Sequence, residues 1–106
     1  MHIYEQMNDV LDIMWGNLME ADKYIKEAHD LKDTNRFYAD WCKEMGMKHI
    51  EFNTNGKTVF DRMRDMLLNS QEHVDNSRAM VMIFDRQMAK LNRHCAEIKA
   101  LMEMYK

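Results

Sequence analysis

Proline is absent from the 106 residues of this chain, and glycine occurs only at Gly16, Gly46 and Gly56. The two residues that oppose helices most strongly are therefore nearly missing, while Met, Lys, Glu, Gln and Leu are common, so almost every position tolerates a helix. Long apolar runs are missing as well. The stretch from Ala79 to Phe84 is broken by charge far short of the roughly 20 residues that cross a bilayer, so no membrane span is expected. Met1 to Glu5 has no basic region leading into an apolar stretch, which predicts no secretory signal and a cytoplasmic protein. Cysteine is limited to Cys42 and Cys95, and in a reducing compartment two such residues read as small apolar filler.

An excess of basic charge is also lacking. The net charge is −3, and the Lys and Arg residues are scattered rather than gathered on one face. Neutralising nucleic-acid phosphates needs a basic stripe, so direct DNA or RNA binding is not expected. What the chain does have is 46% hydrophobic and 31% charged residues, a globular mix with enough apolar surface for one core. One helical-bundle domain over residues 1–106 is the reading.

Apolar residues recur by three and four at Tyr4, Met7, Leu11, Met14, Leu18, Ala21, Ile25 and Ala28, flanked by Ile3, Val10 and Tyr24. This is a heptad seam and predicts a long helix over about Ile3 to Leu31. Lys32, Asp33, Thr34 and Asn35 then supply a stop and capping oxygens for the next helix. That second helix, over about Asn35 to Phe52, carries Phe37, Tyr38, Trp41, Met45 and Phe52 with His49 beside them. Asn53, Thr54, Asn55 and Gly56 form the clearest breaker in the sequence and predict a turn or sharp kink.

A short third helix follows with Val59, Phe60, Met63, Met66 and Leu67, fading at Asn69 and Ser70. Asp75, Asn76 and Ser77 read as a capping loop. A last long helix then repeats the first pattern through Val81, Phe84, Met88, Leu91, Cys95, Ile98, Met102 and Tyr105. The expected fold is an all-α antiparallel bundle, with the two long helices paired antiparallel and the two shorter ones covering them.

Such bundles can hold two metal ions between inward-facing Glu residues and Glu-x-x-His pairs. No Glu-x-x-His occurs here; the reversed spacing appears at His2 with Glu5 and at His94 with Glu97. A metal site, if built, would draw on Glu20, Glu44, His49, His94 and Glu97. The seams place Glu20 and Glu97 away from the core, and Glu44 and His49 lie about 140° apart around a helix, so an exposed charged surface is the simpler reading. His49 is the histidine closest to the core, but acid–base work needs an orienting partner and a pocket. Glu72 and His73 fall in a predicted loop. A Met and His pair could ligate haem, but no Cys-x-x-Cys-His is present. No cofactor is expected.

Thirteen methionines remain to be placed. Met7, Met14, Met45, Met88 and Met102 fall on seams, while Met47, Met80, Met82 and Met104 fit them poorly and are candidates for a surface that repacks against a protein partner. The segments ADKYIKEAHDLK (Ala21 to Lys32) and AEIKALMEMYK (Ala96 to Lys106) resemble small ferritin-like helical proteins encoded in phages and prophages of gut Firmicutes. The resemblance implies a ferritin-like bundle and a mobile-element origin. It also implies a second-helix pattern of acidic residues followed by His; here the stretch is Glu44, Met45, Gly46, Met47, Lys48, His49, with Gly46 in place of the acid.

With no catalytic spacing and an excess of Met and aromatic residues, the expected function is non-enzymatic protein–protein interaction. The partner would be a second copy, forming a homodimer, or a host protein such as a defence component that the chain inhibits. A metal-binding bundle and a virion structural part are the alternatives.

Overall fold

A computed structural model of the chain describes residues 2–69 and 74–106, with the backbone alone at 74–76. Among the described residues there are three helices and no strand: α1 (Ile3–Leu31), α2 (Arg36–Asn69) and α3 (Val74–Met104). Helix α1 has the bounds its seam predicts. His2 starts it, its Nδ1 accepting the Tyr4 N–H at 3.2 Å. At the far end the N–H groups of Thr34 and Asn35 donate to Leu31 O. Asn35 then caps α2 by accepting the Tyr38 N–H at 3.2 Å, as its short side-chain oxygen suggests.

Two sequence expectations fail in the middle of the chain. Asn53 to Gly56 does not form a turn; α2 runs helical through it, so the two shorter helices are one long helix. The reason is packing. Buried residues on α2 recur every seventh position as Ala39, Gly46, Asn53, Phe60 and Leu67, so Asn53 sits in a continuous core stripe. Tertiary burial of that stripe outweighs the low helix propensity of two Asn and one Gly. Asp75 to Ser77 likewise lie inside α3, and Ser77 is buried. Glu72 and His73 fall outside the described residues.

The pairing of the long helices also differs. Along α1 and α3 the contacts advance together: Tyr4 faces Phe84, Trp15 faces His94, and His29 faces Tyr105. Helices α1 and α3 are therefore parallel, and it is α2 that runs antiparallel to both. An unbroken α2 explains this, since the chain reverses once on each side of it. The arrangement is an up-down-up bundle of three long helices rather than two long plus two short.

Helices α1 and α2 approach closely where their facing residues are small. A Cβ added to Gly46 would lie 2.7 Å from Ile25 Cδ1 and 3.5 Å from the carbonyl oxygen of Ala21. One added to Gly56 would lie 2.6 Å from Met14 Cγ. Toward the other end the core widens around Met7, Leu11, Phe60, Leu67, Val81 and Phe84, where Phe60 and Phe84 meet edge to face at 5.7 Å. The result is a rod of 58 × 22 × 14 Å with a radius of gyration of 16.9 Å. A compact domain of this length has about 13 Å. An elongated shape leaves more surface per residue: 7190 Å² is accessible, against roughly 6,300 Å² expected for a monomer of this mass.

Two buried polar atoms, Asn53 Oδ1 and Ser77 Oγ, have no hydrogen-bond partner among the described residues. Asn53 is 4% exposed. A buried acceptor left unpaired costs about 1–3 kcal/mol, whereas an apolar group of the same shape does not. Asn53→Leu is expected to raise unfolding free energy by about 1–2 kcal/mol, as read from the urea midpoint at constant slope. A loss of stability would show that the amide has a partner or sets the register.

Between α2 and α3 the main polar tie is Arg64, which donates from Nε and an Nη to both oxygens of Asp85 at 2.8 and 2.9 Å. These bonds hold the Asp85 carboxyl below its ordinary value of 3.8, against a smaller opposing effect of burial. A depressed pKa contributes stability above the unfolded value and loses it as pH falls through the folded one. Both side chains are a third or more exposed, which limits the pair to about 1 kcal/mol. Asp85→Asn is expected to lower unfolding free energy by up to that amount at neutral pH, with the gap closing below the ordinary carboxylate range. A gap independent of pH would point to packing instead.

Candidate protein-binding face

Apart from Phe60, the aromatic residues of α2 lie outside the core. Seven-residue spacing puts Tyr38, Met45, Phe52, Val59 and Met66 on one line along α2, about 100° around the helix from the buried line of Ala39 to Leu67. Tyr38, Phe52, Val59 and Met66 are exposed and Met45 is half-buried. Phe52 is 54% and Met66 67% accessible, so these side chains lie largely in water.

Helix α1 forms the second wall of this face. Tyr24 stacks on His49 at 5.8 Å and meets Trp41 edge to face, while Trp41 stacks on Tyr38. Phe52 adds an edge contact to the other side of His49. His49 Nδ1 bonds Asn17 Oδ1 at 2.9 Å, which fixes the ring and uses one of its two nitrogens. The imidazole is thus a half-buried spacer within an aromatic row. Among the described residues no acid or nucleophile shares its hydrogen bonds. Ile13, 63% exposed, extends the apolar surface along α1.

The residues considered for a metal site do not converge. His49 lies in this α1–α2 face, whereas the His94 ring lies tilted against Trp15, 5.4 Å between centroids, in the groove between α1 and α3. His94 and Glu97 form a loose pair at 3.7 Å on one turn of α3. Glu20 and Glu44 are exposed on separate helices. Among the described residues no three His, Cys, Asp or Glu side chains are placed to share an ion.

The four methionines singled out from the sequence divide. Met47, Met82 and Met104 are exposed, but Met80 is half-buried and packs on the core, because it stands three residues after Ser77 and four before Phe84 on the inward side of α3. Met82 and Met104 lie about 33 Å apart along α3, so they do not make one patch. The exposed line on α2 was missed as a surface, although its signal was present: two seven-residue series on one helix, the buried one small at Ala39, Gly46 and Asn53 before Phe60 and Leu67, the exposed one large throughout. Large side chains look like core until the partner helix is known.

The depressions elsewhere are small or polar. One of about 210 Å³ between α1 and α3 is lined by Leu11, Trp15, Lys90 and Leu91 among others, below the 300–1,000 Å³ usual for ligand sites. Another, near the α1–α2 turn, is lined by Arg36, Asp40, Lys43, Glu44, Met47, Tyr105 and Lys106. There Tyr105 donates its hydroxyl to Asp40, and Arg36 and Lys43 sit over its ring. Burial first, then this hydrogen bond, raises the Tyr105 pKa, so the phenol stays protonated and serves as a clasp on the end of α3. Burial, with Glu27 nearby, also raises the Cys42 pKa, which makes a poor nucleophile of that thiol.

Compared with family models, with curated proteins and with solved structures, the chain matches none.

Proposed function

We propose that this protein is a non-enzymatic interaction module that works by presenting the α1–α2 aromatic face to a helical surface of another protein chain. The observation that carries the reading is the line Tyr38, Phe52, Val59 and Met66, exposed at heptad spacing along α2 with Trp41 beside it. Leaving such a line in water is unfavourable by roughly 25 cal/mol per Å² of apolar area, and a docked helix removes that penalty. Met and aromatic side chains also repack cheaply against a partner, and they supply most of the anchors at protein interfaces. The resemblance to phage-encoded bundles adds a host protein, a defence component among them, to the candidates.

Paired pull-downs test this reading. Wild type and a Phe52→Glu/Val59→Glu variant with the same helical circular dichroism are offered to the same lysate. Proteins retained specifically by the wild type are expected to be lost with the variant. Equal retention by both would place binding elsewhere and sink the reading.

A further inference from the structure

The exposed line on α2 has a further property, which rests on reading this face as a docking surface. It is symmetric about its centre: Phe52 stands in the middle, Met45 and Val59 seven residues to either side, Tyr38 and Met66 fourteen. Running one copy of α2 antiparallel to another sets Phe52 against Phe52, Met45 against Val59 and Tyr38 against Met66. We infer that the occupant of this face is a second copy of the chain, packed antiparallel about a two-fold axis that passes beside Phe52.

Three further observations support that occupant. The first is charge. Glu27 on α1 is the carboxylate that acts on both Tyr38 and Cys42, so it lies level with that turn of α2. Arg62 follows Phe52 by ten residues and Cys42 precedes it by ten, so the axis brings Arg62 of one copy level with Glu27 and Trp41 of the other. Arg62 is exposed. An Arg against a carboxylate and an indole face is a favourable pairing.

The second is Gly16. A Cβ there would meet nothing within 4 Å, so the fold of one copy gives no reason for a glycine that costs roughly 1 kcal/mol within a helix. Asn17 bonds His49 and Met14 lies against Gly56, which puts Gly16 level with Phe52 along the rod, next to Ile13 at the outer edge of the face. A residue without a side chain lets another backbone or a large ring come close there.

The third is area. The line from Tyr38 to Met66 is about 42 Å long. With α1 beside it the face is roughly 20 Å wide, a footprint of about 800 Å² per copy, the size of a standard stable interface. This is also on the order of the accessible area by which the chain exceeds a typical monomer.

Sedimentation or light scattering at about 1 to 100 µM is expected to give twice the 12.8 kDa chain mass. Phe52→Glu, with unchanged circular dichroism, is expected to weaken association at least about 30-fold. Arg62→Glu weakens it, and Glu27→Arg added to Arg62→Glu restores it. Under oxidation, Phe52→Cys forms a covalent dimer by itself, because helices 8–10 Å apart bring facing Cα atoms within disulfide reach. Tyr38→Cys does not link alone but links when mixed with Met66→Cys; wild type, whose Cys42 and Cys95 are buried, is the blank.

A wild type that stays monomeric at the top concentration overturns the inference, as does a Phe52→Glu dimer or self-linking of Tyr38→Cys. If a monomeric wild type still captures another protein through Phe52, the dimer fails while the docking face stands.

Discussion

Phe60→Ala is expected to cost about 3–5 kcal/mol and to lower the melting temperature by on the order of 20 °C. Phe60 is fully buried and meets Phe84 edge to face, so it is the residue through which α2 holds α3. Truncating it removes the transfer energy of a large ring and leaves a cavity that rigid helices on three sides cannot close. Phe52, eight residues earlier on the same helix, is the control. It is half exposed, and alanine there should change the unfolding free energy of the monomer by about 0.5 kcal/mol or less. Thermal and urea unfolding at low protein concentration compare the two. Equal losses would mean that the buried stripe of α2 has been assigned to the wrong face.

Gly46→Leu should be comparably damaging for the opposite reason, excess volume. The glycine faces Ile25 and the backbone of Ala21, with no room for even a Cβ unless Ile25 moves. A leucine there has to push α1 and α2 apart along the line of small residues Ala21, Ala28, Ala39 and Cys42, all fully buried. Overpacking of this kind commonly costs 1–3 kcal/mol, and a backbone that must shift puts Gly46→Leu at about 3 kcal/mol or more. Gly46→Ala is milder, since Ile25 is flexible at its end and a helical alanine gains roughly 1 kcal/mol over glycine. The ordering wild type near Ala, both far above Leu, is read from urea midpoints. Tolerance of Leu would show that the helices do not meet at Gly46.

The helical seams are where sequence reasoning succeeded. Every seam position of α1 from Met7 to Ala28 is buried, and so are Val81, Phe84, Met88, Leu91, Cys95 and Ile98 on α3 and Tyr105 just past its end, while Met102 is half-buried. Periods of three and four report burial reliably when one apolar series runs along a helix. Helix α2 carries two series. Its small one, Ala39, Gly46 and Asn53, is what α1 covers, and its large one is left outside. Hydrophobicity ranks the second above the first, so a reading by side-chain size chooses the wrong face. For the same reason Asn53 and Gly56, which look like a break, are core positions at a close helix contact.

The candidate face was therefore only partly legible. His49 beside an aromatic row was visible in the string, but not that Tyr24 and Asn17 of another helix complete it. The methionines proposed as surface were divided by the fold, Met47 on α2 and Met80, Met82 and Met104 on α3, because their places depend on how each helix is turned toward its neighbours.

By itself the sequence determined the helical class, the span of α1, the turn capped by Asn35 and the inward faces of the outer helices, since each follows from local propensity or a single periodicity. Only the tertiary structure decided that α2 is unbroken, that α1 and α3 are parallel, and which side of α2 is buried. The physical reason is that a core is an agreement between surfaces: small residues become interior when a neighbouring backbone comes close enough to cover them, and that neighbour is not written in the local string.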